Sequence, residues 1–133
     1  MNLLKTEPIR IGSETYLLSE YTALDRLLDM EYAVSQHAIP EPDEEDTLAK
    51  TKHQIAVERR QLNLVSHSIA LSLPHNNECF AEVPISELQQ IIQAQWPNRK
   101  LNQAYELVWN LNRTPDTDDQ PDVTGDDVTP EKP

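Results

Sequence analysis

IAVERRQLNLVSHSIALSL, residues 55–73, is a strongly periodic stretch, and the rest of the chain can be placed around it. On a helix of about 3.6 residues per turn, its apolar residues fall into two stripes on opposite sides. The first stripe contains Ile55, Leu62, Val65, Ile69 and Leu73, and the second contains Val57, Leu64 and Leu71. A surface helix of a small protein usually shows one stripe. Two stripes indicate a central helix covered on both sides, which is the simpler interpretation, or a helix with one face kept for a partner.

A β-hairpin is predicted before this helix, over residues 4–18. Ile9 and Ile11 alternate with Arg10, and the Gly12-Ser13 pair that follows suits a type II′ turn. Because an isolated two-stranded hairpin is only marginally stable, we expect it to pack on the helices.

Three further helices complete the predicted fold. The first has Ser19 as its N-cap and runs to about Gln36, and Glu31 falls inside its apolar stripe, which suits a position near an open end. That stripe consists of Tyr21, Leu24, Leu28 and Tyr32, flanked by Leu27.

The central helix is capped by Asp46 or Thr47 and ends at Pro74, which has no backbone N–H. The later helices are capped by Ser86 and Asn98. Their stripes are Ile85, Leu88, Ile92 and Trp96, then Leu101, Ala104, Tyr105, Val108 and Leu111, with Gln89, Gln90 and Gln93 facing outward.

The net charge of −12 is concentrated in two polar segments. One is a loop at residues 37–46, which holds two prolines and a run of acids. The other is the end of the chain at 114–133, which has too few apolar residues to offset the entropy of ordering. We therefore predict a mainly α, four-helix domain at 1–113, followed by a disordered acidic tail or linker. Since the domain is almost neutral and lacks clustered Lys and Arg, nucleic acid is not expected as a ligand.

The sequence contains no recognisable catalytic or metal-binding motif. It has two glycines, too few for a phosphate-binding loop, and its four histidines lack the spacing of a helical metal site. They are interpreted as structural, and Cys79 as a small buried hydrophobe. The acid pair Asp43 and Asp46 lies in a wet loop, where nothing raises a carboxyl pKa for acid–base work. We expect no enzymatic activity and no cofactor. The lack of a long apolar run or a signal-like N-terminus predicts a cytoplasmic protein without membrane association.

Several short motifs, in their order and spacing, resemble the lambda G-protein family of phage tail assembly chaperones. They are LKTE at 4–7, LSE at 18–20, ALDRL at 23–27, LSLPHN at 71–76 and WP at 96–97. The resemblance spans most of residues 3–113 and is weakest at 36–52. It implies a non-enzymatic protein that coats the aggregation-prone tape measure protein. It also implies a longer, frameshifted form that recruits the major tail tube protein. Such a chaperone works in the host cell cytoplasm and is absent from the mature virion.

The sequence offers four candidate partner-binding residues, namely Val57, Leu64, Leu71 and Trp109. Simple core packing is the preferred interpretation of each. The acidic tail is equally compatible with a linker and with a solubilising end. Self-association is suggested by the resemblance alone. Two other functions stay open: an acidic regulatory adaptor or DNA mimic, and a minor structural component of the tail.

Overall fold

The computed structural model describes residues 3–42 and 45–113. Its elements, in chain order, are β1 (Thr6–Ile11), β2 (Glu14–Ser19), α1 (Ala23–Ser35), α2 (Thr47–Ser72), a short 3-10 turn (Glu78–Phe80), α3 (Ile85–Gln95) and α4 (Asn98–Arg113). The predicted mainly α fold, with four helices and an N-terminal hairpin, is confirmed. The predicted disordered tail at 114–133 lies outside the described residues. None of the helices described is both long and apolar enough to cross a bilayer.

The two strands form one antiparallel hairpin with an apolar side. Ile11 pairs with Glu14, so that Gly12 and Ser13 form a two-residue connection. Gly12 has φ +63°, the left-handed conformation that the primed hairpin turns require at their first central residue. Ile9, on the apolar side, is buried in the same core as the helices. The predicted packing of the hairpin on the helical body is confirmed, and each strand lies within one residue of the predicted range.

The start of α1 differs from the prediction, because its N-cap is Thr22 and not Ser19. The Thr22 hydroxyl accepts from the backbone N–H of Asp25 at 3.0 Å, and the Asp25 carboxylate accepts from the backbone N–H of Thr22 at 3.0 Å. This reciprocal capping box satisfies two N–H groups, more than a lone serine could. Ser19 instead ends β2, where its backbone N–H and C=O both bond to the Ser72 hydroxyl at 2.7 Å.

The other helix starts are set by one aspartate and two prolines. The prediction of Asp46 as a cap of α2 is confirmed, since its carboxylate accepts from the Ala49 backbone N–H at 3.1 Å. The predicted cap at Ser86 is wrong, because α3 begins directly after Pro84. The prediction for Asn98 is also wrong. It is the first helical residue of α4, and the preceding Pro97 carbonyl accepts the first backbone bonds.

The predicted coverage of α2 on both sides is confirmed for its C-terminal third only. Every residue from Val65 to Leu73 is buried, whereas none from Thr47 to Leu64 is. In the first stripe, Leu62 packs against the core, Val65 is the first buried residue, and Ile55 at the other end is exposed. The hairpin, α3 and α4 all contribute to this core. The N-terminal half of α2 continues the helix beyond the packed body.

Two smaller predictions are corrected by the loop and the helix that follow α2. Cys79, expected to be buried, is exposed in the 3-10 turn, because this turn packs through its neighbour Phe80 against Tyr16. Gln89, expected to face outward, is buried, and its amide donates to the Asn63 carbonyl and the Tyr32 hydroxyl, both at 2.9 Å. Periodicity alone placed Gln89 outside, but these partners from α2 and α1 make its burial possible.

Candidate partner-binding surface

Helix α1 packs on α2 through its polar side. Asp25, Asp29 and Tyr32 recur at spacings of four and three residues, so that they lie on one side of the helix. Each of the three contacts a side chain from α2 or the loop directly after it. The arrangement is inverted relative to an ordinary surface helix, which buries its apolar stripe and exposes its polar one.

Asp29 is the centre of the hydrogen-bond network between the two helices. Its carboxylate lies 2.8 Å from His67 Nδ1, 2.8 Å from the Ser68 hydroxyl and 2.9 Å from the Tyr21 hydroxyl. Burial by itself would raise the pKa of Asp29, but the bonds from His67, Ser68 and Tyr21 together outweigh it and lower that pKa. Asp29 is therefore held as a carboxylate that accepts from all three groups. Burial also raises the pKa of the Tyr21 phenol far above its usual range, so that it stays a neutral donor.

Two further contacts attach α1 along its length. Near its N-terminus, the Asp25 carboxylate lies 2.6 Å from His75 Nε2. Near its C-terminus, the Tyr32 ring stacks on the His67 ring, with centroids 4.0 Å apart and planes 3° from parallel. These histidines have the structural role that the sequence indicated. Among the described residues, no three His, Cys, Asp or Glu side chains are grouped so as to hold a metal ion.

The opposite side of α1 presents apolar side chains to solvent. We define the outer face of α1 as Leu24, Leu27, Leu28, Glu31 and Val34. Its four apolar side chains are between 38% and 84% exposed. The predicted buried stripe of α1 is thus wrong for its three leucines, since only Tyr21 and Tyr32 turn inward. The Tyr21 hydroxyl lies 3.3 Å from the Ser68 carbonyl of α2, and the Tyr32 hydroxyl accepts from the Gln89 amide of α3. A leucine could not satisfy those groups.

A groove of about 590 Å³ lies between α1 and α4. Met30 and Ala33 line one wall, Tyr105 and Trp109 line the other, and Asp29 contributes to the lining. The carboxylate of Asp29 is already bonded to three donors, and Arg26 and Asn112 also line the groove, which therefore combines apolar and polar side chains.

The chain matches the family model described as bacteriophage lambda tail assembly chaperone, TAC, protein G, over residues 2–128. The chain belongs to this family. No curated protein and no solved structure gives a match. This family membership identifies the protein as a phage tail assembly chaperone. Membership of a chaperone family indicates interaction with other tail proteins and a non-enzymatic role.

Of the four partner-binding residues suggested for this tail assembly chaperone, two are accessible. Val57 is exposed on the unpacked half of α2, and Trp109 is exposed at the edge of the groove. Leu64 is half-buried and Leu71 is 2% exposed. On the same side of α2, Arg60 contacts the carbonyl of Gln36 directly after α1, and His67 and Ser68 contact α1 itself. Helix geometry places Leu64 and Leu71 between these three side chains, so that both leucines face α1. Their role as partner contacts, like that of Val57 and Trp109, stays a prediction.

Sequence reasoning missed the outer face of α1, although a signal for it was present. Asp25, Asp29 and Tyr32 already share one side of the helix, and the α2 stretch opposite them carries His67 and Ser68. The position of Glu31 within the apolar stripe was a second signal. A carboxylate there is costly if the stripe is buried and costs nothing if it faces water. Together these residues could have indicated an inverted helix.

Proposed function

We propose that this protein is a tail assembly chaperone that binds the tape measure protein and helps to recruit tail tube subunits during tail assembly. The single observation that supports this proposal most strongly is the outer face of α1 on a chain of this family. Burying one leucine side chain is worth about 1.5–3 kcal/mol. The three leucines and the valine of the outer face contribute this free energy only when another polypeptide covers them.

The size of this surface fits a chaperone that must later release its client. One short helix face gives a modest contact, so that each copy is expected to bind weakly. Such contacts also separate stepwise, which a protein displaced by the growing tube requires. Binding is thus proposed to be weak for each copy, with many copies on one long partner.

Recruitment of tube subunits is proposed to use a longer form of the chain, made by ribosomal frameshifting. Support comes from the family and from the acidic residues 114–133, whose like charges would extend a linker that follows α4. We expect an overlapping reading frame with a slippery heptamer near the codons for Thr124 to Pro133. Mass spectrometry of infected cells should find the longer product, and the absence of both would refute this part of the proposal.

Co-expression tests the main proposal. The tape measure protein of the same phage should stay in the supernatant when this chain is produced with it and should precipitate when it is produced alone. The matched control is co-expression with an unrelated acidic domain of similar size. Equal precipitation in all three cultures would refute the chaperone function.

We propose further that the protein acts in the host cell cytoplasm and is absent from the finished particle. Quantitative mass spectrometry of purified virions should detect the tape measure and tube proteins but not this chain. Stoichiometric amounts in the particle would instead establish a structural component of the tail.

A further inference from the structure

The outer face of α1 carries one charge in the middle of its apolar residues. Glu31 lies one helical turn from Leu27, Leu28 and Val34, and within the described part of the chain it makes no ion pair. A carboxylate covered by an apolar surface would lose its hydration without compensation. A partner that covers this face must therefore supply a hydrogen-bond donor to Glu31, and a lysine or arginine supplies the strongest one.

We infer that the outer face of α1 is the docking site for an amphipathic helix of the partner polypeptide, whose apolar stripe contains a lysine or arginine that pairs with Glu31. This inference rests on the proposed function, because it takes the tape measure protein as the source of that helix. It adds the location of the contact, the secondary structure of the bound segment and the charge that the segment must carry.

The bound segment is a helix because of what α1 offers. The backbone groups of α1 are bonded within the helix, so that its outer face presents side chains only. An extended peptide would need a free sheet edge to satisfy its own backbone, whereas a helix satisfies its backbone internally. Residues at spacings of three and four on two helices also interlock as ridges and grooves.

A second copy of this chain is a poorer occupant, for reasons of area and charge. With 13 residues, α1 is about 20 Å long, and a stripe of about 10 Å on it covers on the order of 200 Å². A stable dimer needs about 800 Å² on each partner. A second copy would also place another Glu31 against the first, and the outer face contains no lysine or arginine to pair with either. A helix with a lysine or arginine opposite Glu31 avoids the like-charge contact, and the small area then gives a weak contact for each copy.

The chain offers a closely matched pair of variants for the test. Leu24 is the second residue of α1 and 63% exposed, and Leu48 is the second residue of α2 and 62% exposed. Aspartate near the N-terminus of a helix is favourable at both positions, so that Leu24→Asp and Leu48→Asp should both fold. Only the first alters the outer face. Circular dichroism and the thermal midpoint of each full-length variant verify the fold.

Binding is measured by fluorescence anisotropy of overlapping synthetic peptides that cover the tape measure protein, with the intact chain as titrant. Peptides that bind should have an apolar stripe with a central lysine or arginine, and should gain helical signal when bound. Leu24→Asp should raise their Kd by about tenfold or more, because it replaces an apolar contact of the interface by a charge that loses its hydration. Leu48→Asp should leave the Kd unchanged. Glu31→Lys should weaken binding similarly, and changing the peptide's central basic residue to glutamate should restore it.

The outcomes separate the inference from the proposed function. Equal effects of Leu24→Asp and Leu48→Asp on peptides that bind the unaltered chain would overturn the inference and leave the proposed function intact. Binding of neutral or acidic peptides with no effect of Glu31→Lys would overturn the charge requirement. If neither the peptides nor the intact tape measure protein bind, both proposals fail. A dimer in sedimentation experiments that Leu24→Asp dissociates would overturn the inference in favour of self-association.

Discussion

Replacing Asp29 by alanine tests whether the polar network holds α1 against α2. The substitution removes the acceptor of three hydrogen bonds, from His67, Ser68 and Tyr21. Ser68 retains the Leu64 carbonyl at 3.2 Å, and Tyr21 retains the Ser68 carbonyl at 3.3 Å. His67 Nδ1 has no such second acceptor among the described contacts, so that the main loss is one charge-assisted bond.

The expected loss of stability follows from this one lost bond between His67 and Asp29. A hydrogen bond to a charged group contributes about 1.5–3 kcal/mol, and water can replace part of it because the Asp29 side chain is 23% exposed. We expect Asp29→Ala to lower the free energy of unfolding by ~2 kcal/mol, and the thermal midpoint of a domain of this size by about 10 °C. Thermal and urea unfolding, followed by circular dichroism, measure both. Glu31→Ala, on the same helix but on its outer face, is the control and should change stability by less than about 0.5 kcal/mol.

The pH dependence gives an independent test of the same bond. Because the folded state lowers the pKa of Asp29, its stabilising effect is fully present above the unfolded value of about 3.9. The effect is lost as the pH falls through the lower folded value. The difference in free energy of unfolding between the unaltered chain and Asp29→Asn should therefore be constant near neutral pH and disappear below about pH 4. A loss for Asp29→Ala no larger than that of Glu31→Ala, or a difference that persists unchanged into acid, would refute the reasoning.

Three further predictions concern the attachments and ends of the elements. Ser72→Ala leaves the backbone N–H and C=O of Ser19 unpaired in the core, and should cost ~2–4 kcal/mol in urea unfolding; a cost below about 1 kcal/mol would contradict the two 2.7 Å bonds. Asp46→Ala removes the cap of α2 and should cost about 1 kcal/mol, with faster amide exchange confined to its first turn; unchanged exchange there would count against the cap. Gly12→Ala forces a side chain into a left-handed conformation and should cost about 1 kcal/mol by thermal unfolding, whereas Gly12→Asn should cost less; equal costs would argue against the φ of +63° as the cause.

The order and type of the elements could be predicted from the sequence because local signals determine them. Apolar periodicity identified the four helices, the Gly12-Ser13 pair identified the hairpin turn, and Asp46 marked the start of α2. The motifs from LKTE to WP were sufficient to indicate the family. Helix starts were less predictable, since Ser19 and Thr22 are both good caps and only the capping box with Asp25 distinguishes them.

The orientation of α1 was decided by tertiary structure. Its sequence has apolar residues over a wide arc and polar residues on the remainder, and periodicity alone favours burial of the apolar arc. His67, Ser68 and His75 reverse that preference, because they offer Asp25 and Asp29 hydrogen-bonding partners that lie 38 to 50 residues away in the chain. The same contacts turn the leucines of α1 toward water. Local pattern thus specified that a helix forms here, although not that it starts at Ala23. Which side of the helix stays free depends on polar groups that only folding brings together.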